Sequence, residues 1–229
     1  MIAPYTIFFH GILGVLSLVV FFYSEIFFRE RTHKSQLSHD LGFFFLLYAL
    51  YNLSVLLPLL FGADKYFWNI GLAIGFFFIF WGFAYLIKIP LGLLFPGKPG
   101  ISGFVSAFYF IFGAAVSALY LYFPNSNFIA EGFVVWKGSQ PAVLLNQIGQ
   151  ISLAWIFALA FLSGAIKVKD NPFIKWRSFL FALAAIVFSG SSYFYFAGTV
   201  QAVEWAFICA ISGGVISVFA VVVLGLFKS

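Results

Sequence analysis

Seven long apolar stretches, parted by short polar loops, limit this chain more than anything else in it. They cover residues 5–28, 41–61, 67–87, 102–123, 142–166, 177–197 and 204–227. A helix crossing the hydrocarbon needs about 20 apolar residues, and each stretch meets that length. The chain is 63% hydrophobic and only 8% charged, where a soluble domain carries about 25% charged residues. Folded in water it would have to expose Phe and Leu over its whole surface and would aggregate. The sequence therefore predicts an all-α membrane protein, one transmembrane domain over residues 1–229, with lipid as its outer solvent. The 35 Phe residues are read as the codon composition of the source genome rather than as a pigment- or lipid-binding surface.

The basic side chains orient the spans. Arg29, Arg31, Lys34, Lys88, Lys98, Lys167, Lys169, Lys175, Arg177 and Lys228 fall on one side of the alternating layout, and Lys65 and Lys137 on the other. Cytoplasmic loops concentrate Lys and Arg. This expectation puts the N-terminus outside and the C-terminus in the cytoplasm, across a prokaryotic inner (plasma) membrane. The first span has no basic residue before it and no small-residue cleavage site after it, so it reads as a span rather than a cleaved leader. The formal charge of +5 is thus assigned to orientation and not to nucleic acid. The basic inner loops are candidate contacts for a membrane or cytoplasmic protein partner. Cys209 is the single cysteine, which rules out a disulfide within the chain and reads as a buried thiol.

Several local expectations follow. Glu25 either reaches the interface or pairs with Arg29 one turn on. Lys88 is expected to snorkel to the interface. Pro90 makes residues 89–95 a kinked extension or an interfacial stretch, and Pro96-Gly97-Lys98-Pro99-Gly100 is a firm break. In the outer loop 124–141, two apolar runs flank Glu131-Gly132, predicting a short β-hairpin, read as a cap on the bundle in preference to a lid over a pocket. Small residues four apart predict close-packed faces: Gly71 and Gly75; Gly103 and Ala107, with Ala114 and Ala118; Ala206, Ala210 and Gly214.

A faint internal repeat runs through the chain. Gly14-Val15-Leu16-Ser17-Leu18 is echoed by Gly149-Gln150-Ile151-Ser152-Leu153, and Trp68 with Ala73-Ile74 by Trp205 with Ala210-Ile211. Spans 1–3 and 5–7 would then form two parallel halves joined by the fourth helix, a plan found among transporters.

The candidate polar residues within the spans are His10, Asn52, Asn69, Asn146, Gln147, Gln150, Ser189, Ser191, Ser192, Tyr193, Tyr195 and Glu204. Nearly all fall in the expected outer half. Polar groups in hydrocarbon are costly and face the bundle interior. For each residue, bonding between helices competes with lining a pocket. As a set they suggest an outward polar pocket, with His10, Asn52, Asn146, Gln150, Ser192, Tyr195 and Glu204 as candidate ligand-binding residues. Asn146 and Gln150 share a helix face, and Glu204 is the expected partner of His10. No catalytic residue, metal ligand or cofactor is expected. His33, His39 and Asp40 read as a solvated loop, and nucleotide, hydrolase-elbow and zinc-helix motifs do not occur.

Seven spans, an outside N-terminus and a 3+1+3 plan resemble three families in architecture. Microbial rhodopsins are similar, but they carry a retinal-binding lysine in the seventh span, and residues 204–227 hold none. SWEET-type transporters are similar, though the Pro-Gln pair of their relatives appears here only reversed, as Gln140-Pro141. The seven-helix regions of sensor kinases are similar too, and those chains go on into a kinase, whereas this sequence ends at Ser229. These features predict a non-enzymatic receptor or sensor with an outward pocket. A small-solute transporter or channel using that pocket, and a structural subunit of a membrane complex, are the alternatives.

Overall fold

The computed structural model describes residues 3–29, 36–62, 64–123, 125–168 and 171–226. The helices are α1 (Pro4–Arg29), α2 (Gln36–Leu60), α3 (Lys65–Leu86), α4 (Lys88–Leu94), α5 (Pro99–Tyr122), α6 (Gln140–Lys167), α7 (Pro172–Tyr195) and α8 (Val200–Leu226). Between α5 and α6 lies a hairpin of β1 (Phe128–Ala130) and β2 (Phe133–Val135). Among the described residues, seven helical segments are long and apolar enough to cross a membrane, with α3 and α4 together making one of them. The chain is thus an integral membrane helix bundle. Most helices start a few residues before the apolar stretches, because capping residues lie in the polar flanks. Asp64 accepts the backbone N–H of Tyr66 and Phe67 at the head of α3, and Asn171 accepts that of Ile174 in α7. Pro4, Pro99, Pro141 and Pro172 stand in first turns, where a missing N–H costs nothing.

Helices pack in chain order, α1 on α2, α2 on α3, α3 on α5, then α6 on α7 and α7 on α8. Glycine decides where backbones can touch. Pro58 within α2 has no N–H to give the Ser54 carbonyl. That freed oxygen faces Gly71 of α3, so close that a Cβ on Gly71 would collide with it. Gly75 and Gly82 continue this seam against Tyr51 and Phe44. The expected α5 faces are corrected: Gly103, Ala107, Ala114 and Ala118 are exposed. The packed face of α5 carries Tyr109, Gly113, Val116 and Tyr120, with Gly113 against the Phe80 ring. Spacing alone could not say which of two small-residue faces meets protein and which meets lipid. In α8, Ala206 is buried, Ala210 and Gly214 are only partly so, and Gly213 meets the Phe188 ring.

The α3–α4 junction is the kinked extension. Pro90 cannot donate to the Leu86 carbonyl, and the helix breaks at Ile87 and resumes, with Pro90 and Leu91 buried. Two inner-loop expectations change here. Asp40 belongs to α2 and is 2% exposed, so it does not sit in a solvated loop. Lys88 lies 3.6 Å from the Asp40 carboxylate and 4.6 Å above the Tyr85 ring rather than snorkelling free. His39, with a partly exposed side chain, lies tilted against the Phe43 ring. His33 and the side chains of Glu25 and Arg29 lie outside the described residues.

Candidate functional site

The hairpin is built by its turn. Glu131 and Gly132 have φ of 51° and 82°, the two positive values that a two-residue hairpin turn of the right twist requires. Phe128 then pairs with Val135 and Ala130 with Phe133. The hairpin is pinned to the head of α1, where Tyr5 N–H donates to Gly132 O at 3.1 Å and Val134 N–H to Thr6 Oγ1 at 2.8 Å. Asn127 ties the loop to α3 through Asn69 Oδ1, 2.6 Å away, and accepts from Lys137 N–H at 2.8 Å. Val134, Val135 and Trp136 are fully buried. The hairpin therefore caps one end of the bundle, and Trp136 reaches down into it.

Below Trp136 runs a continuous chain of hydrogen bonds. The Trp136 indole donates to the Tyr195 hydroxyl at 2.9 Å. Tyr195 lies 2.7 Å from His10 Nε2, and His10 Nδ1 lies 2.8 Å from Asn52 Oδ1. Asn52 Nδ2 donates to the Tyr48 carbonyl at 2.7 Å. The direction follows from the ends. Indole only donates, and the Asn52 amide gives its N–H to a carbonyl, so its oxygen accepts. Neutral His10 then carries its proton on Nδ1 and accepts the Tyr195 O–H at Nε2. The links come from the cap, α7, α1 and α2. His10 and Asn52 are at most 1% exposed. Each bond between helices is worth of order 1 kcal/mol, and each buried group left single costs about 1–3 kcal/mol.

The chain uses both ring nitrogens of His10, which leaves neither free as a base or metal ligand in this arrangement. Among the described residues, no three His, Cys, Asp or Glu side chains gather as metal ligands. Rings surround the chain: Tyr51 and Tyr195 lie edge-on to His10, and Phe9 stacks on Phe207 at 3.9 Å.

Of the seven candidate residues, the structure brings together His10, Asn52 and Tyr195. Asn146 and Gln150 bond to each other at 2.8 Å along α6, and no hydrogen bond joins them to the His10 chain among the described residues. Ser192 bonds back to the Phe188 carbonyl of its own helix at 3.4 Å. Glu204 is exposed, which corrects its expected pairing with His10. The side chains that do pair with His10 are an amide and a phenol. Among the other polar residues, Gln147 donates to the Tyr193 carbonyl, and Tyr109 meets Ser152 at 2.8 Å across α5 and α6. Sequence reasoning missed Trp136 as a member of the site. The available signal was the run Val134-Val135-Trp136 inside a polar loop, too apolar to stay in water.

Four buried side-chain polar atoms have no partner among the described residues: Trp68 Nε1, Tyr120 Oη, Ser139 Oγ and Asn146 Nδ2. All four belong to the hairpin half of their helices or to the loop itself. No family model and no curated protein sequence matches this chain.

Proposed function

We propose that this is a non-enzymatic receptor- or sensor-type protein of a prokaryotic plasma membrane, with the hairpin and N-terminus outside and the basic loops in the cytoplasm. One observation carries the reading. The cap reaches through Trp136 into a directional chain that joins α7 to α1 and α2. A ligand that shifts the cap therefore acts on α7, α1 and α2 at once. In this reading the two helix triplets, α1–α3 and α6–α8, are parallel repeats linked by α5. The matching sequence motifs support that, as does the chain-order packing within each triplet. The basic inner loops would contact the downstream partner.

The test uses spin labels at Lys98 and Lys175, at the end opposite the hairpin, in lipid nanodiscs. Cutting the chain at its top with W136F should change the distance distribution between them. Unchanged distances would refute coupling and favour the structural-subunit reading, as would co-purification with one fixed partner and no ligand. Solute flux in reconstituted vesicles would instead put the transporter reading first.

A further inference from the structure

A second feature of the hairpin end lies apart from the His10 chain. A recess of about 350 Å³ opens between the α2–α3 turn and strand β1. Leu59, Phe128, Ile129 and Ala3 give it apolar walls, and Lys65 and Trp68 give it a polar side. The Trp68 N–H is closed off from solvent without a partner. A donor-only group left this way in a membrane protein is costly, and an acceptor entering the recess with a small shift of the ring would pair it. The Lys65 side chain is exposed and has no ion-pair partner among the described residues. The one carboxylate beside it on the chain, Asp64, is engaged in capping α3. Next to the lining residues Gly62 and Lys65 on the chain, Phe61, Tyr66 and Phe67 are 81%, 68% and 54% exposed. Tyr66 is of the type enriched at the membrane–water boundary, where an amphipathic ring meets the headgroups.

We propose that this recess binds an anionic amphiphile, its phosphate or carboxylate oxygens at Lys65 and the Trp68 indole and its chain along Leu59, Phe128 and Ile129. The walls exclude a free inorganic ion as the best ligand, since they offer apolar contact that only a tail can use. The Lys65 cation favours an anionic headgroup over a neutral one. Two sources supply this chemistry, an anionic lipid of the same leaflet or a free amphiphilic acid. The inference goes beyond the receptor reading and holds whether or not the cap is coupled to the far end.

The test is local to Trp68. Protein labelled with 15N at its indoles is placed in nanodiscs of zwitterionic phosphatidylcholine, and the W68F variant assigns the Trp68 resonance by its loss. Dodecyl phosphate should move the Trp68 N–H signal saturably, and K65Q should weaken that binding about fivefold. Replacing part of the phosphatidylcholine with phosphatidylglycerol should reproduce the shift if membrane lipid is the source; a shift with dodecyl phosphate alone assigns the free acid. Either pattern supports the site. A motionless Trp68 signal, an equal response to dodecyl maltoside or inorganic phosphate, or full affinity in K65Q would overturn it.

Discussion

The Tyr195 hydroxyl stands 2.7 Å from His10 Nε2, although 185 positions separate the two residues. This contact joins the first helix to the seventh, and Trp136 and Asn52 extend it in opposite directions. Because every donor in the chain has one acceptor, removing a middle member strands two neighbours. Y195F leaves the Trp136 N–H and His10 Nε2 single and should cost about 1–3 kcal/mol. H10A strands the Tyr195 hydroxyl and Asn52 Oδ1 and adds a cavity, so about 2–4 kcal/mol is expected. The double variant H10A/Y195F should cost clearly less than the sum, since both break the same bond. Unfolding in mixed detergent micelles measures all three; strict additivity would mean that the groups do not interact.

The glycine seam predicts a sharp contrast. G71V pushes a branched side chain into the Ser54 carbonyl that Pro58 leaves exposed, and α2 must move away from α3. A loss of about 2 kcal/mol is expected, as for other overpacked sites. G103V meets nothing within 4 Å and should behave like the native protein. Thermal stability of the two variants in the same detergent decides the matter, and equal losses would contradict the packing described for α5.

At the hairpin turn, Glu131 occupies a backbone region that suits Asn or Gly. E131N should therefore stabilise the cap by about 0.5–1 kcal/mol. G132A should do the opposite, because its φ is positive and its new Cβ would lie 2.6 Å from the Tyr5 ring. Amide exchange at Val134 and Val135 reads both effects. Slower exchange in G132A would be incompatible with this turn.

The pair between Lys88 and Asp40 joins the kink to α2. Lys88 is about a third exposed, so it keeps some access to water and its loss is partly softened by screening. K88M should lower stability by about 1 kcal/mol and K88R should largely restore it. Near-native stability for K88M would show that the pair contributes little.

Orientation has its own test. With Cys209 replaced by Ala, a single cysteine at Lys137 should react with an impermeant maleimide in intact cells, and one at Lys98 only after permeabilisation. Reaction of both in intact cells would break the alternating layout.

The amino-acid sequence by itself determined the number of apolar spans, their bounds to within a few residues, a break in the helix at Pro90 that was either a kink or an interfacial stretch, and the hairpin at Glu131-Gly132. These follow from chain length against bilayer thickness, from the missing N–H of proline and from the φ that a tight turn demands, all of which are local. It also picked out His10, Asn52 and Tyr195 as costly polar groups. Tertiary structure alone decided their partners. Sequence favoured Glu204 for His10 because opposite charges attract, yet α8 turns Glu204 outward and α7 brings Tyr195 inward. It likewise decided that Gly113, not Gly103, faces protein, and that Asp40 is buried. In a membrane helix both lipid and protein interiors are apolar, so the face a residue presents is not written in hydrophobic periodicity and is settled only when neighbouring helices pack.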